Sequence, residues 1–165
     1  MKSLSSALSR TPRLHALFAG VALWAATPCA PQAADATSQY NLDRSKLALA
    51  GYDPVGYFVE GKAVKGRPEL VVQHQGVTYQ FTSDTDRELF RAAPQKYLPA
   101  YGGWCATAMA KGEKVEIDPT NFKVTDGRLF LFFKAFYANA RKDWVKDEAT
   151  LTQKADVHWK KIGGE

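Results

Sequence analysis

Two runs rich in β-formers, residues 70–74 and 77–81, flank Gln75-Gly76 and predict a tight antiparallel hairpin. Ser83 then stands where a helix cap is expected, with Asp84 and Asp86 in the first turn. Leu89, Phe90 and Ala93 mark an inner face before Pro94 stops the helix. Upstream, Val55, Tyr57 and Val59 alternate with other residues and predict a short half-buried strand over 55–59, turned by Glu60-Gly61-Lys62. Residues 42–49 read as a short amphipathic piece leading into the Gly51 turn.

A second hairpin is expected over 121–133, where Asn121 to Thr125 and Arg128 to Phe133 flank Asp126-Gly127. The run Leu129 to Phe133 lacks polar alternation, which predicts burial on both faces. A helix over 104–111, ended by Gly112, should carry Cys105 in its first turn. Phe136, Tyr137, Ala140 and Trp144 share one face of a further predicted helix. Leu151, Ala155, Trp159 and Ile162 share a face of a last one, capped by Thr150 with Gln153 three positions on. No internal repeat or low-complexity tract is found. These elements predict an α+β fold, small antiparallel hairpins packed with several helices.

Residues 1–36 have the layout of a secretory signal peptide. Lys2, Arg10 and Arg13 precede an apolar run over 14–26, and Ala34-Asp35-Ala36 offers a small-x-small cleavage site. The apolar run is short for a membrane span, so the expectation is export to the periplasm or medium by a Sec-type route, with a retained signal anchor as the alternative. Removing the leader takes three of the 22 basic residues and leaves 19 against 16 or 17 acids. That balance, with no clustered Lys/Arg run, excludes the electrostatic footprint of a nucleic-acid binder. About 130 residues remain, enough for one domain with its own core. If Cys29 leaves with the leader, Cys105 stays as a single thiol, with no internal disulfide possible: buried, paired with another molecule, or used as a ligand or reactive group.

The stretch over 51–97 opens GYDPVGYF, passes through HQGVTYQFTS and closes on RAAPQKY, and it resembles the YHS domain. The longer chain, with a GGWC loop and a helical segment over 98–165 packed on the same domain, is similar to the exported single-domain branch of that family. The resemblance implies an association with metals and a metal site at three cysteine positions, occupied here by Gly56, Thr82 and Asp86. Glycine and threonine supply no donor comparable to thiolate, so the usual site is missing. Tyr79, Phe81, Ser83, Phe90 and Tyr97 keep the structural part of the pattern.

The surviving candidate metal set is Cys105 with Met109 one helical turn on, and His74 from the first hairpin as a third donor. Sulfur with imidazole suits Cu(I) and, less well, Zn(II), so copper binding in partnership with a metal-delivery or envelope protein is one expectation. In the alternative, Cys105 and Met109 are core filler. A second reading makes Cys105 a reactive thiol activated at a helix start, with Gly102 and Gly103 admitting a substrate; no motif assigns a base to it. A third is a non-catalytic small-molecule or protein-binding module using a groove of Tyr52, Tyr57, Tyr101 and Trp104. His158, beside Lys160 and Lys161, is explained by a helix C-terminus, and the pairs Asp84/Asp86 and Asp143/Asp147 by solvated surface. Absent a positioned base and resolving cysteine, the chain reads as non-enzymatic.

Overall fold

Asp53 sets the conformation of the first element. In a computed structural model that describes residues 37–162, its Oδ1 accepts hydrogen bonds from the amides of Val55 (2.8 Å) and Gly56 (3.4 Å). That geometry, with Pro54 pre-set for a first helical turn, starts α1 (Gly56–Val59). The strand expected over 55–59 is therefore a helical turn: Val55 and Tyr57 are buried and Val59 is exposed. The segment read as a leader, residues 1–36 with Cys29, lies outside the described residues.

Two antiparallel hairpins follow. β1 (Arg67–His74) pairs with β2 (Val77–Phe81), and β3 (Asp118–Thr125) with β4 (Arg128–Phe132). In both turns, Gln75-Gly76 and Asp126-Gly127, the two residues have positive φ, the form that matches the twist of the strands. The helix α2 (Asp84–Ala92) is capped by Ser83, whose Oγ accepts from the Asp86 amide, and α3 (Pro94–Tyr97) restarts at the proline. Phe90 faces inward from α2, while Leu89, expected inside, is exposed. The helix expected over 104–111 contracts to α4 (Ala106–Met109), with Cys105 immediately before it.

Residues 134–144 depart furthest from the pattern. Phe136 and Tyr137 form the apex of a small hairpin, β5 (Lys134–Ala135) with β6 (Ala138–Asn139), and are fully exposed; only α5 (Ala140–Trp144) is helical. Asn139 accounts for the change. Its side chain caps Arg141, and Asn121 of β3 donates to both Asn139 Oδ1 and the Phe133 carbonyl. The last helix, α6 (Glu148–Lys161), starts at Asp147, not at Thr150, with Glu148 at its positive end and paired with Lys123. Ile162, expected on its inner face, is 39% exposed.

The two hairpins are one pattern repeated. Arg67↔Phe81 and His74↔Val77 in the first recur as Asp118↔Phe132 and Thr125↔Arg128, 51 positions on, with the same bulge before the fifth residue of the long strand. Ahead of each runs a turn of three consecutive left-handed residues, Leu49-Ala50-Gly51 and Tyr101-Gly102-Gly103. Leu47 bridges Thr78 in parallel as Pro99 bridges Leu129. The amide of Asp53 donates to the Val64 carbonyl as that of Cys105 does to Val115. Phe90 packs on Tyr79 and Phe81 (ring centroids 4.9 and 5.2 Å) as Trp144 packs on Phe130 and Phe132 (5.1 and 5.6 Å). The repeat not legible in the sequence is present in the structure. The repeat lives in backbone conformation and buried aromatic positions, and few residues besides Gly61/Gly112, Val64/Val115, Pro68/Pro119, Gly76/Gly127 and Phe81/Phe132 are shared.

β4 lies between two core clusters. Leu129 and Leu131 face the one built on β2 and Phe90, and Phe130 and Phe132 face the one built on α4, Trp144 and α6. All four are essentially inaccessible, as its unbroken apolar run predicts. The fold is α+β.

Candidate functional site

A cleft of about 840 Å3 lies where both hairpin turns meet the Tyr101-Gly102 turn and α6. Its charged centre is built from three elements. Arg128, the first residue of β4, donates through both terminal nitrogens to Asp156 of α6, at 2.7 and 3.1 Å. Tyr101 Oη donates to the same carboxylate at 2.9 Å, and the guanidinium lies 5.5 Å from the Tyr101 ring centroid. Burial, the largest single influence, pushes the Asp156 carboxyl up, but the Arg128 and Tyr101 hydrogen bonds and the Arg128 and Lys160 charges outweigh it and hold the group below the usual range. Burial raises the Tyr101 phenol well above its ordinary value. At neutral pH the centre is a carboxylate, a guanidinium and a phenol donor.

Backbone strain concentrates at this cleft. Tyr101 has φ 57° and ψ 35°, a left-handed conformation that costs a bulky side chain about 1–2 kcal/mol. Gly102 follows at φ 60°, where an added Cβ would lie 2.8 Å from the Trp159 ring and 3.1 Å from the Gln39 carbonyl. The residues 39–41 strap the turn down: Asn41 donates to the Gly102 and Gly103 carbonyls, and Trp104 Nε1 to Gln39. Tyr40, Tyr79 and Trp159 complete the walls. The described lining residues bring hydrogen-bonding and charged groups, Gln39, Gln75, Gln95, Arg128, Asp156 and Lys160, against aromatic walls, a surface that can hold a polar ligand.

The groove expected from Tyr52, Tyr57, Tyr101 and Trp104 does not form. Tyr101 alone of the four lines this cleft, and Tyr57 is buried with its hydroxyl on the Pro119 carbonyl. Arg128 and Asp156 went unseen in the sequence, since nothing local joins positions 28 apart.

Cys105 lines the floor of the second cleft, about 720 Å3, walled by the β5–β6 hairpin, yet its side chain is 1% exposed. Met109, one turn on, points into the second core cluster and is inaccessible. His74 belongs to the other side of the molecule's core, its ring edge-on to Phe90 at 6.0 Å and its Nε2 buried without a hydrogen-bond partner among the described residues. Among these residues no three His, Cys, Asp or Glu side chains gather as a metal site would need.

A carboxyl pair forms between Asp53 and Asp86, joined through Thr82. Asp53, fully buried, also accepts from the Thr82 amide at 2.7 Å, and the Thr82 hydroxyl lies within hydrogen-bond distance of both Asp53 Oδ2 and Asp86 Oδ2. Asp86, expected at the surface, is buried and also accepts from Ser83. Burial, aided by the Asp86 charge, raises the Asp53 carboxyl against the pull of its hydrogen bonds. A hydroxyl has one proton, so raising Asp53 toward protonation lets both Thr82 contacts be made at once.

No helix among the described residues is long and apolar enough to cross a membrane. Comparison with protein-family models, curated proteins and solved structures finds no match to this chain.

Proposed function

We propose that this chain is an exported, YHS-like binding module that takes a small polar ligand in the cleft around Tyr101, Arg128 and Asp156, without catalysis. The observation that carries the reading is the strained Tyr101 held against a bidentate Arg128–Asp156 pair in an open, aromatic-walled concavity. The strain at Tyr101 costs stability, and a ligand hydrogen-bonded to the Tyr101–Arg128–Asp156 centre would offset that cost. The family reading is supported by the meeting of Gly56, Thr82 and Asp86 around Asp53, since the resemblance implies that these separated positions share a site. In this chain Thr82 and Asp86, hydrogen-bonded together with Asp53, stand where the resemblance implies thiolates. The export reading rests on residues 1–36.

The test is a thermal-shift panel of sugars, nucleosides, amino acids and dicarboxylates on the protein and on Arg128→Ala. A compound that raises Tm in the first and not in the second identifies the ligand class. A panel that moves neither protein sinks the reading.

Soft-metal binding is kept as a second reading because Cys105 both lines a cleft and stands one turn from Met109. Both sulfurs would need to turn outward to meet an ion. An anaerobic Cu(I) competition titration against Cys105→Ala decides it: a tight site lost in the variant supports copper, and equal competition by both removes it.

A further inference from the structure

Phe136 and Tyr137 are 108% and 84% exposed at the apex of a hairpin whose strands are two residues long. The other aromatic rings among the described residues are buried or partly buried; here two adjacent ones project into solvent. The concavity they border also carries Lys111, Lys134, Lys142 and Lys146 against two carboxylates, Glu113 and Asp143. Asp143 is engaged by Lys146 at 2.7 Å, and Lys134 reaches Asp118 only at 4.0 Å. The face is therefore aromatic at its tip and cationic around it.

We propose that the β5–β6 tip is a peripheral membrane contact: Phe136 and Tyr137 enter the headgroup region of an anionic lipid surface while the surrounding lysines meet its phosphates. A two-residue apex offers far less area than the roughly 800 Å2 per partner of a standard protein interface. A lipid interface needs no complementary shape, only amphipathic rings that can seat among headgroups and a positive surround. The tip is also separable from the core, because its anchor is Asn139 held by Asn121 and not the two rings.

The experiment is hydrogen exchange of the peptide spanning 133–140, with flotation, on vesicles of phosphatidylcholine mixed with phosphatidylglycerol and on phosphatidylcholine alone. The proteins compared begin at residue 37, as the export reading requires, so differences report the tip. We expect slowed exchange on the anionic vesicles only. Partitioning should fall about tenfold in Phe136→Ser/Tyr137→Ser, and about fivefold in Lys142→Ala, with Tm unchanged in both. Unaltered exchange on anionic vesicles, equal slowing on phosphatidylcholine, or equal flotation of the aromatic variant would each overturn the proposal. Concentration-dependent protection without vesicles would overturn it in favour of a second copy of the chain as the occupant.

Discussion

β2 and β4 hold matching places in the two halves of the molecule and bury themselves differently. On β2, Val77, Tyr79 and Phe81 face the core and Thr78 and Gln80 are half-buried. On β4 both faces are filled, by Leu129 and Leu131 on one side and Phe130 and Phe132 on the other. The matching positions after the left-handed turns differ in kind as well: Asp53 ties a network of amides and hydroxyls, whereas Cys105 is a small buried thiol at the base of a cleft. One backbone thus supports a polar, satisfied junction in the first half and an apolar junction with open space beside it in the second. The proposed binding surfaces gather where the second half departs from the first, at α6 and at the β5–β6 hairpin.

The largest effects should come from the shared aromatic wedge. Phe90→Ala and Trp144→Ala each remove the ring packed on two strand aromatics and should each cost about 3–5 kcal/mol in urea unfolding. Near-equal losses would support the equivalence of the halves, and a loss under 1 kcal/mol in only one would break it. At the junctions the halves should separate: Asp53→Ala strands several buried donors and should cost about 3 kcal/mol, against about 1 kcal/mol for Cys105→Ala. Swapping character in the left-handed turns is a smaller probe. Gly102→Ala meets Trp159 and Gln39 and should cost about 2 kcal/mol, while Ala50→Gly, at φ 49° and exposed, should stabilise by about 0.5 kcal/mol.

The smallest and most directional probe is pH. The raised Asp53 contributes stability that is full below the ordinary carboxylate value near 3.9 and is lost as pH rises through its higher folded value. The lowered Asp156 does the reverse, contributing above the ordinary value and losing it as pH falls through its lower folded value. Unfolding midpoints across the acid range should show the stability gap between the protein and Asp53→Asn widening as pH falls, and that between the protein and Asp156→Asn narrowing. Parallel gaps would mean that the two carboxyls share one environment.

Turn chemistry made much of the fold legible. Gln75-Gly76 and Asp126-Gly127 tolerate the left-handed pairs their hairpins need, Ser83 and Pro94 bracket α2, and the unbroken run on β4 announced burial on both faces. The 134–144 segment misled because Phe136, Tyr137, Ala140 and Trp144 do fall at helical spacing, and only the reach of Asn121 to Asn139 and Phe133 bends the chain into a hairpin. The alternation at Val55, Tyr57 and Val59 misled for a similar reason, since a side-chain cap from Asp53 overrides it. Of the candidate site, Tyr101 was visible as an interface-prone residue, but its partners were not.

What the sequence determined alone was local: which segments turn, which alternate, which helix has a cap, and that α and β elements would pack around an aromatic core. These follow from φ preferences and side-chain periodicity, which act over a few residues. Tertiary structure decided the internal repeat, the meeting of Asp53 with Thr82 and Asp86, and the Tyr101–Arg128–Asp156 centre. Those depend on hydrogen bonds and burial between residues tens of positions apart, whose energy exists only once the elements are packed.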